Sequence, residues 1–173
     1  MQGWVVHDAS FVYGLGEWYR SHKLPAGAVV NLERTRNPRV IVVDYETQRM
    51  KRLWVKIASV RSGKLVFQMR KVPISCKFDE HLALGEDDRE AIDKLWEEAD
   101  AGRWSLRRTM IAVMPELVKI SPQSTVHAKT IYSAVNVVRR TVPGPVFALL
   151  STEPCFVAMG GGYWTFDKTL ARP

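Results

Sequence analysis

Three consecutive glycines, Gly160-Gly161-Gly162, stand between two short apolar, β-prone segments, Cys155 to Met159 and Tyr163 to Asp167. Two β-prone runs this close pair as a hairpin, and glycine supplies the positive φ that a tight turn needs. A tip without side chains also admits close approach to a sugar-phosphate backbone. Upstream, the apolar spacing predicts a helix from Thr125 to Arg140. Ser124 or Thr125 serves as its N-cap, accepting from a free N–H of the first turn. Pro122 keeps Ser121 out of helical geometry. Arg139 and Arg140 complement the negative end of the dipole. Thr141-Val142-Pro143-Gly144 then ends the helix.

Plotted at about 100° per residue, the faces of this helix separate. Val126, His127, Ala128, Ile131, Ala134, Val135, Val137 and Val138 share one broad arc. Thr125, Lys129, Tyr132, Ser133, Asn136, Arg139 and Arg140 fill the rest. This polar arc holds no carboxylate. It offers donors suited to phosphate oxygens and base edges. A solvated basic face with no partner is the alternative.

Helix followed by hairpin is the order of a winged helix–turn–helix. The residues Ser121-Pro122, Thr125-Val126, Ile131-Tyr132, Phe156-Val157 and Gly162-Tyr163-Trp164 resemble the C-terminal half of the HARE-type winged helix–turn–helix domain. The connector from Thr141 to Pro154 holds a further helical turn, Pro145 to Leu150. The resemblance implies a DNA-binding or DNA-modification-sensing module, of the kind attached to chromatin proteins, polymerase subunits and restriction enzymes.

Net charge over the 173 residues is +7, which favours polyanionic partners. The charge is segregated. Residues 1–80 hold 14 Lys and Arg against 7 Asp and Glu; residues 81–101 hold 2 against 8; residues 102–173 hold 9 against 3. One acidic helix thus separates two basic bodies. No apolar run approaches a membrane span, and no basic-then-apolar leader opens the chain. Cys76 and Cys155 sit in apolar contexts, as buried free thiols do, so an intracellular, reducing location (cytoplasm, nucleoid or nucleus) is expected.

The N-terminal part reads as β-rich. Trp4-Val5-Val6 is a short strand, Ser10 to Lys23 a short helix, and Ala28–Arg34, Val40–Tyr45, Leu53–Val60 and Leu65–Arg70 are strands. Val40 to Val43 is continuously apolar, which predicts a central strand. Val72 to Phe78 is extended. Four close strands predict a small antiparallel barrel or half-open sheet, and the entry, Leu24-Pro25-Ala26-Gly27 leading into Val29-Val30, is similar to that of DNA-binding pseudobarrel domains. Basic residues mark its turns: Arg34, Arg36 and Arg39; Arg49, Lys51 and Arg52 beside Trp54; Arg61 and Lys64; Arg70-Lys71. Such tips with nearby aromatics bind nucleic acid, or keep a small sheet soluble.

Glu86 to Ala101 predicts a helix with acid at its start. Trp104 to Ile120 predicts another, kinked or split at Pro115. Arg103, Arg107 and Arg108 oppose the dipole at its start, where a phosphate partner would relieve them. With Thr125 to Arg140 this makes three helices before the hairpin.

Catalytic chemistry is sparse. His7-Asp8, His22, His81 and His127 are scattered, and His127 lies on the apolar arc, as a core histidine does. Cys76 and His81 lack a second pair at zinc spacing. Asp44 and Glu46 end a strand as turn residues. No P-loop is present. No cofactor, metal or catalytic residue is therefore expected. The reading is an α+β protein: a β-rich basic domain over residues 1–84, a winged helix–turn–helix over 85–168 and a tail over 169–173. The expected function is double-stranded DNA binding without catalysis, through Thr125, Lys129, Tyr132, Ser133, Asn136, Arg139, Arg140, Gly161, Arg107, Arg108, Arg36 and Arg39. The alternatives are a protein–protein interaction module using the wing and third helix, or the targeting part of a nuclease or modification enzyme.

Overall fold

The computed structural model describes residues 3–6 and 11–171. His7-Asp8 and Ser10 lie outside the described residues. The chain is α+β. Strands β1 (Trp4–Val6) and β2 (Phe11–Tyr13) pair antiparallel. Only Gly16–Ser21 of the expected first helix is helical, as α1. Gly14 takes a φ of +99°, which breaks the helix that the Phe11, Leu15 and Trp18 spacing predicts.

Strands β3 (Val30–Arg34) and β4 (Ile41–Tyr45) form a two-stranded sheet of their own. Val40 to Val43 is therefore not a central strand. Its apolar run pairs with β3 alone, and Val40, Ile41 and Val42 stay exposed. No closed barrel forms among the described residues, because the strands divide into four small sheets.

The framework of the β-rich part is one long hairpin, β5 (Thr47–Arg61) and β6 (Lys64–Cys76). Both strands run further than the apolar segments that announced them. The residues added to β5 are mostly polar and exposed, which hydrophobic pattern does not mark, whereas those added to β6 are the segment from Val72 that the sequence shows as extended. Pro73 is tolerated because β6 lies at the edge of its sheet. On the other side of β5, the short strand β7 (Leu84–Glu86) pairs in parallel with Lys56 to Ala58.

The hairpin serves two cores. Side chains alternate across a strand, and the cross-strand pairs fix the faces. Val55, Ile57 and Ile74 on one face join Cys76 and Ala83 in a small cluster. Ala58, Leu65 and Phe67 on the opposite face enter the main cluster with residues of all the following helices. The boundary at residue 84 thus does not separate two cores. Leu84 and three hairpin side chains belong to the helical core, because the helices bury their apolar stripes on the turn end of the hairpin.

Helix α2 (Arg89–Ala101) starts at Asp88, whose carboxylate accepts from Ala91 N–H at 3.2 Å. Helix α3 (Leu106–Lys119) starts at Ser105, which accepts from Arg108 N–H at 3.1 Å. It runs unbroken through Pro115. The strand β8 (Val126–His127) leads into α4 (Ala128–Val138). After residues 139–142 comes α5 (Pro143–Thr152), then β9 (Phe156–Gly160) and β10 (Tyr163–Phe166). The three-stranded sheet has the order β8-β10-β9. Cys155 belongs to the main cluster, and both cysteines are free and buried.

Candidate nucleic-acid interface

Helices α4 and α5 are joined by four residues. The helix that directly precedes the β9–β10 hairpin is α5, the segment the sequence shows only as an added turn, and not the helix predicted from Thr125 to Arg140. Pro143 and Pro145 resemble breakers, yet they fall in the first turn, where a missing N–H costs nothing. Helix α5 carries no charged residue. Phe147 and Ala148 are exposed on it.

Helix α4 is instead the inner helix. Thr130, Ile131, Ala134, Val135, Val137 and Val138 are buried, and its polar arc is folded against the β-rich part. Lys129 pairs with Asp79 at 2.5 Å. Thr130 donates to His81 C=O at 2.7 Å and Ser133 to Leu82 C=O at 2.9 Å. Tyr132 and Asn136 are half-buried. Asn136 donates to Tyr132 C=O at 2.9 Å and accepts from Thr141 N–H at 3.0 Å, so its amide closes the helix end. Arg139 donates to Trp104 C=O at 2.6 Å. Arg140 lines a groove with Glu86 and Asp93. Thr125 precedes the helix as a half-buried residue. The N-cap is His127, whose Nδ1 accepts from Lys129 N–H at 3.2 Å. Ser124 takes a left-handed φ of +52° instead.

The arginines of α3 are also engaged. Arg107 pairs with Glu153 at 2.8 Å, and the Arg108 guanidinium lies 4.4 Å from the Trp104 ring centre. Arg36 and Arg39 are exposed in the β3–β4 turn, and Gly161 is exposed at the wing tip. The expected DNA contacts are therefore not one surface on α4. Asp44 accepts from Tyr45 N–H at 2.8 Å and Glu46 pairs with Lys77 at 2.9 Å, so both act as structural residues.

Several open cations lie on the β-rich part. Arg34, Arg36, Arg39, Arg49, Lys51, Arg52 and Lys71 have no carboxylate at ion-pair distance among the described residues. Arg52, Trp54 and Lys56 share one face of β5 opposite Pro73, Lys71 and Met69 of β6. Towards the turn this face is covered by the helices; at its open end it is exposed. Lys51 points to the other face.

Where the hairpin face emerges from beneath the helices it forms a cleft with the wing. Trp54, Lys56, Met69, Glu80, His81, Thr125, His127 and Tyr163 line about 440 Å³. His81 and His127 stack with centres 3.9 Å apart and planes 13° from parallel. Tyr163 stands edge-on to His127, centres 5.2 Å apart. His81 is held by its N–H to Asp79, at 2.9 Å. Burial, aided by the neighbouring His81 and Lys129 charges, pushes the His127 imidazole below its ordinary range, against Asp79. Burial likewise lowers Lys56, opposed by Glu80. The Lys129 hydrogen bond holds the Asp79 carboxyl below its usual value.

Local sequence pattern concealed this cleft. His127 lies on an apolar arc and His81 in a loop, and only the docking of residues 79–84 on α4 brings them together. Trp54 was legible as an aromatic among basic residues. Among the described residues no group of three His, Cys, Asp or Glu is placed to hold a metal ion, and no helix is long and apolar enough to cross a membrane. No family model, curated protein or solved structure matches the chain.

Proposed function

We propose that this chain binds double-stranded DNA without chemistry of its own, holding the backbone with the β5–β6 hairpin and the wing. The observation that carries this reading is the open end of the hairpin face, where Arg52, Lys71 and Trp54 stand together with no acidic partner among the described residues. Cations of this kind bind phosphates and release counterions. Charge placement supports it. Asn136, Val137 and Arg140 at the C-terminal end of α4 line the groove with Asp93 of the acidic helix α2, whereas His127 and Thr130 at its N-terminal end line the cleft. The acidic helix thus sits at the far end of α4 from the cleft. A HARE-type module, as the wing residues suggest, fits the same use.

Because α5 lacks the Arg, Lys, Asn and Gln side chains that read base edges, binding is weakly selective for sequence. A duplex titration over a range of salt tests the reading. Replacing Arg49, Arg52 and Lys71 by Ala reduces the logarithmic salt slope by roughly 0.9 for each phosphate that these side chains neutralise. An unchanged slope removes the hairpin from the interface.

The composition of α5 favours a second reading, a protein-docking module. Val142 just before α5, Phe147 on it and Met159 on the adjoining wing are exposed. Failure of the parent protein to bind duplex at low salt would favour it.

A further inference from the structure

Backbone binding asks only for cations, yet the hairpin–wing cleft also gathers rings. Trp54 is 61% exposed although Ala58, two pairs further along the same face, is wholly buried. Its one ring contact among the described residues is the Lys71 ammonium, 5.4 Å from the ring centre. Tyr163 lines the same cleft at 39% exposure. The His81–His127 stack gives the cleft a further flat wall. Lys56 and Glu80 add one cation and one carboxylate.

The volume, about 440 Å³, falls in the range of small-ligand pockets, about 300–1,000 Å³. Its lining matches the parts of a nucleotide. Aromatic faces stack on any base, whatever its sequence. A carboxylate accepts from a base N–H, whether a ring N–H or an exocyclic amino group, and an ammonium opposes a phosphate. Arg52 and Lys71 on the same hairpin face continue the cationic path out of the cleft. A base inside a duplex cannot use this lining, because its faces are stacked and its pairing edge is taken.

We propose that the cleft holds one unpaired nucleotide of the bound DNA, its base stacked on the rings that line the cleft. The inference rests on the DNA-binding reading above. A free nucleotide offers the same chemistry, so the two sources must be separated.

The test uses the full chain and follows the fluorescence anisotropy of two labelled DNAs, a blunt duplex and the same duplex with an unpaired thymidine overhang. The parent protein binds the overhang form more tightly. Trp54→Ala lowers affinity for the overhang form roughly 10- to 100-fold, the range for loss of one base–aromatic stack, and costs the blunt duplex much less. Trp54→Phe restores most of the loss. Equal affinity of the parent for both DNAs, or equal losses on both in Trp54→Ala, overturns the inference while leaving DNA binding intact. Thymidine monophosphate that competes as well as the overhang strand itself overturns the assignment to DNA. Absence of binding to either duplex at low salt overturns the DNA-binding reading, and this inference with it.

Discussion

At the residue scale, His127 joins helix α4 to the β-rich part. Its Nδ1 caps α4 by accepting from Lys129 N–H, which requires the neutral ring. Its ring also stacks on His81 and meets Tyr163. The charged groups around it are His81, Lys129 and Asp79. Because the folded protein holds this imidazole below its ordinary value, the unfolded chain takes up a proton first as pH falls below about 6.5. Stability is then full above that pH and declines below it, until the folded ring also protonates. Asp79, depressed from an ordinary carboxylate value, loses its contribution only at more acid pH. His127→Asn keeps a capping oxygen that does not titrate. Between pH 7.5 and 5.5 the parent should therefore lose more melting temperature than His127→Asn. A cap worth about 1 kcal/mol corresponds to about 2–4 °C in a chain of this size. Equal losses in thermal melts would remove His127 as the source. None of this was legible in sequence, where histidine is a weak cap candidate and its partner lies in a loop 46 positions away.

At the element scale, the wing is the part that the sequence announced most fully. Apolar runs around three glycines specified β9 and β10, and all three glycines take positive φ. They are not equivalent. A Cβ on Gly162 would lie 2.9 Å from His127 Nε2, whereas one on Gly161 meets nothing closer than Tyr163 Cδ2 at 3.8 Å. Gly161→Ala should cost only the left-handed backbone penalty, about 1–2 kcal/mol. Gly162→Ala adds the displacement of the His127 ring and should cost more in urea unfolding. Equal costs would show that the ring gives way freely. The helices were less legible. The periodicity of residues 125–140 located α4, but its polar arc suggested a nucleic-acid face, or else solvent, where the structure has Asp79, His81 and Leu82. Periodicity identifies an amphipathic face and not what covers it. Of helix α5 the sequence showed the turn from Pro145 to Leu150, and its start was hidden by Pro143-Gly144-Pro145, residues that mark breaks in general and a first turn in this case.

At the scale of the whole molecule, the chain is organised by a hairpin shared between two cores. Charge and composition suggested a division near residue 84, and that signal followed the surface, not the interior. Phe67 of β6 is 6% exposed in the cluster formed by the helices. Phe67→Ala should therefore destabilise the helical part by about 3–5 kcal/mol, with one cooperative loss of helical circular dichroism. Thermal melts of the variant beside its parent check this; helices that melt as late as the parent's would mean that the hairpin is an appendage. The two clusters also differ in a way that chemistry can read. Each contains one thiol, Cys76 in the smaller and Cys155 in the larger, and burial raises both above the ordinary thiol range. Neither sulfur is a ready nucleophile while its cluster stays closed. The molecule thus carries a separate alkylation clock in each half, and the rate at which each thiol is trapped records how often its own cluster opens.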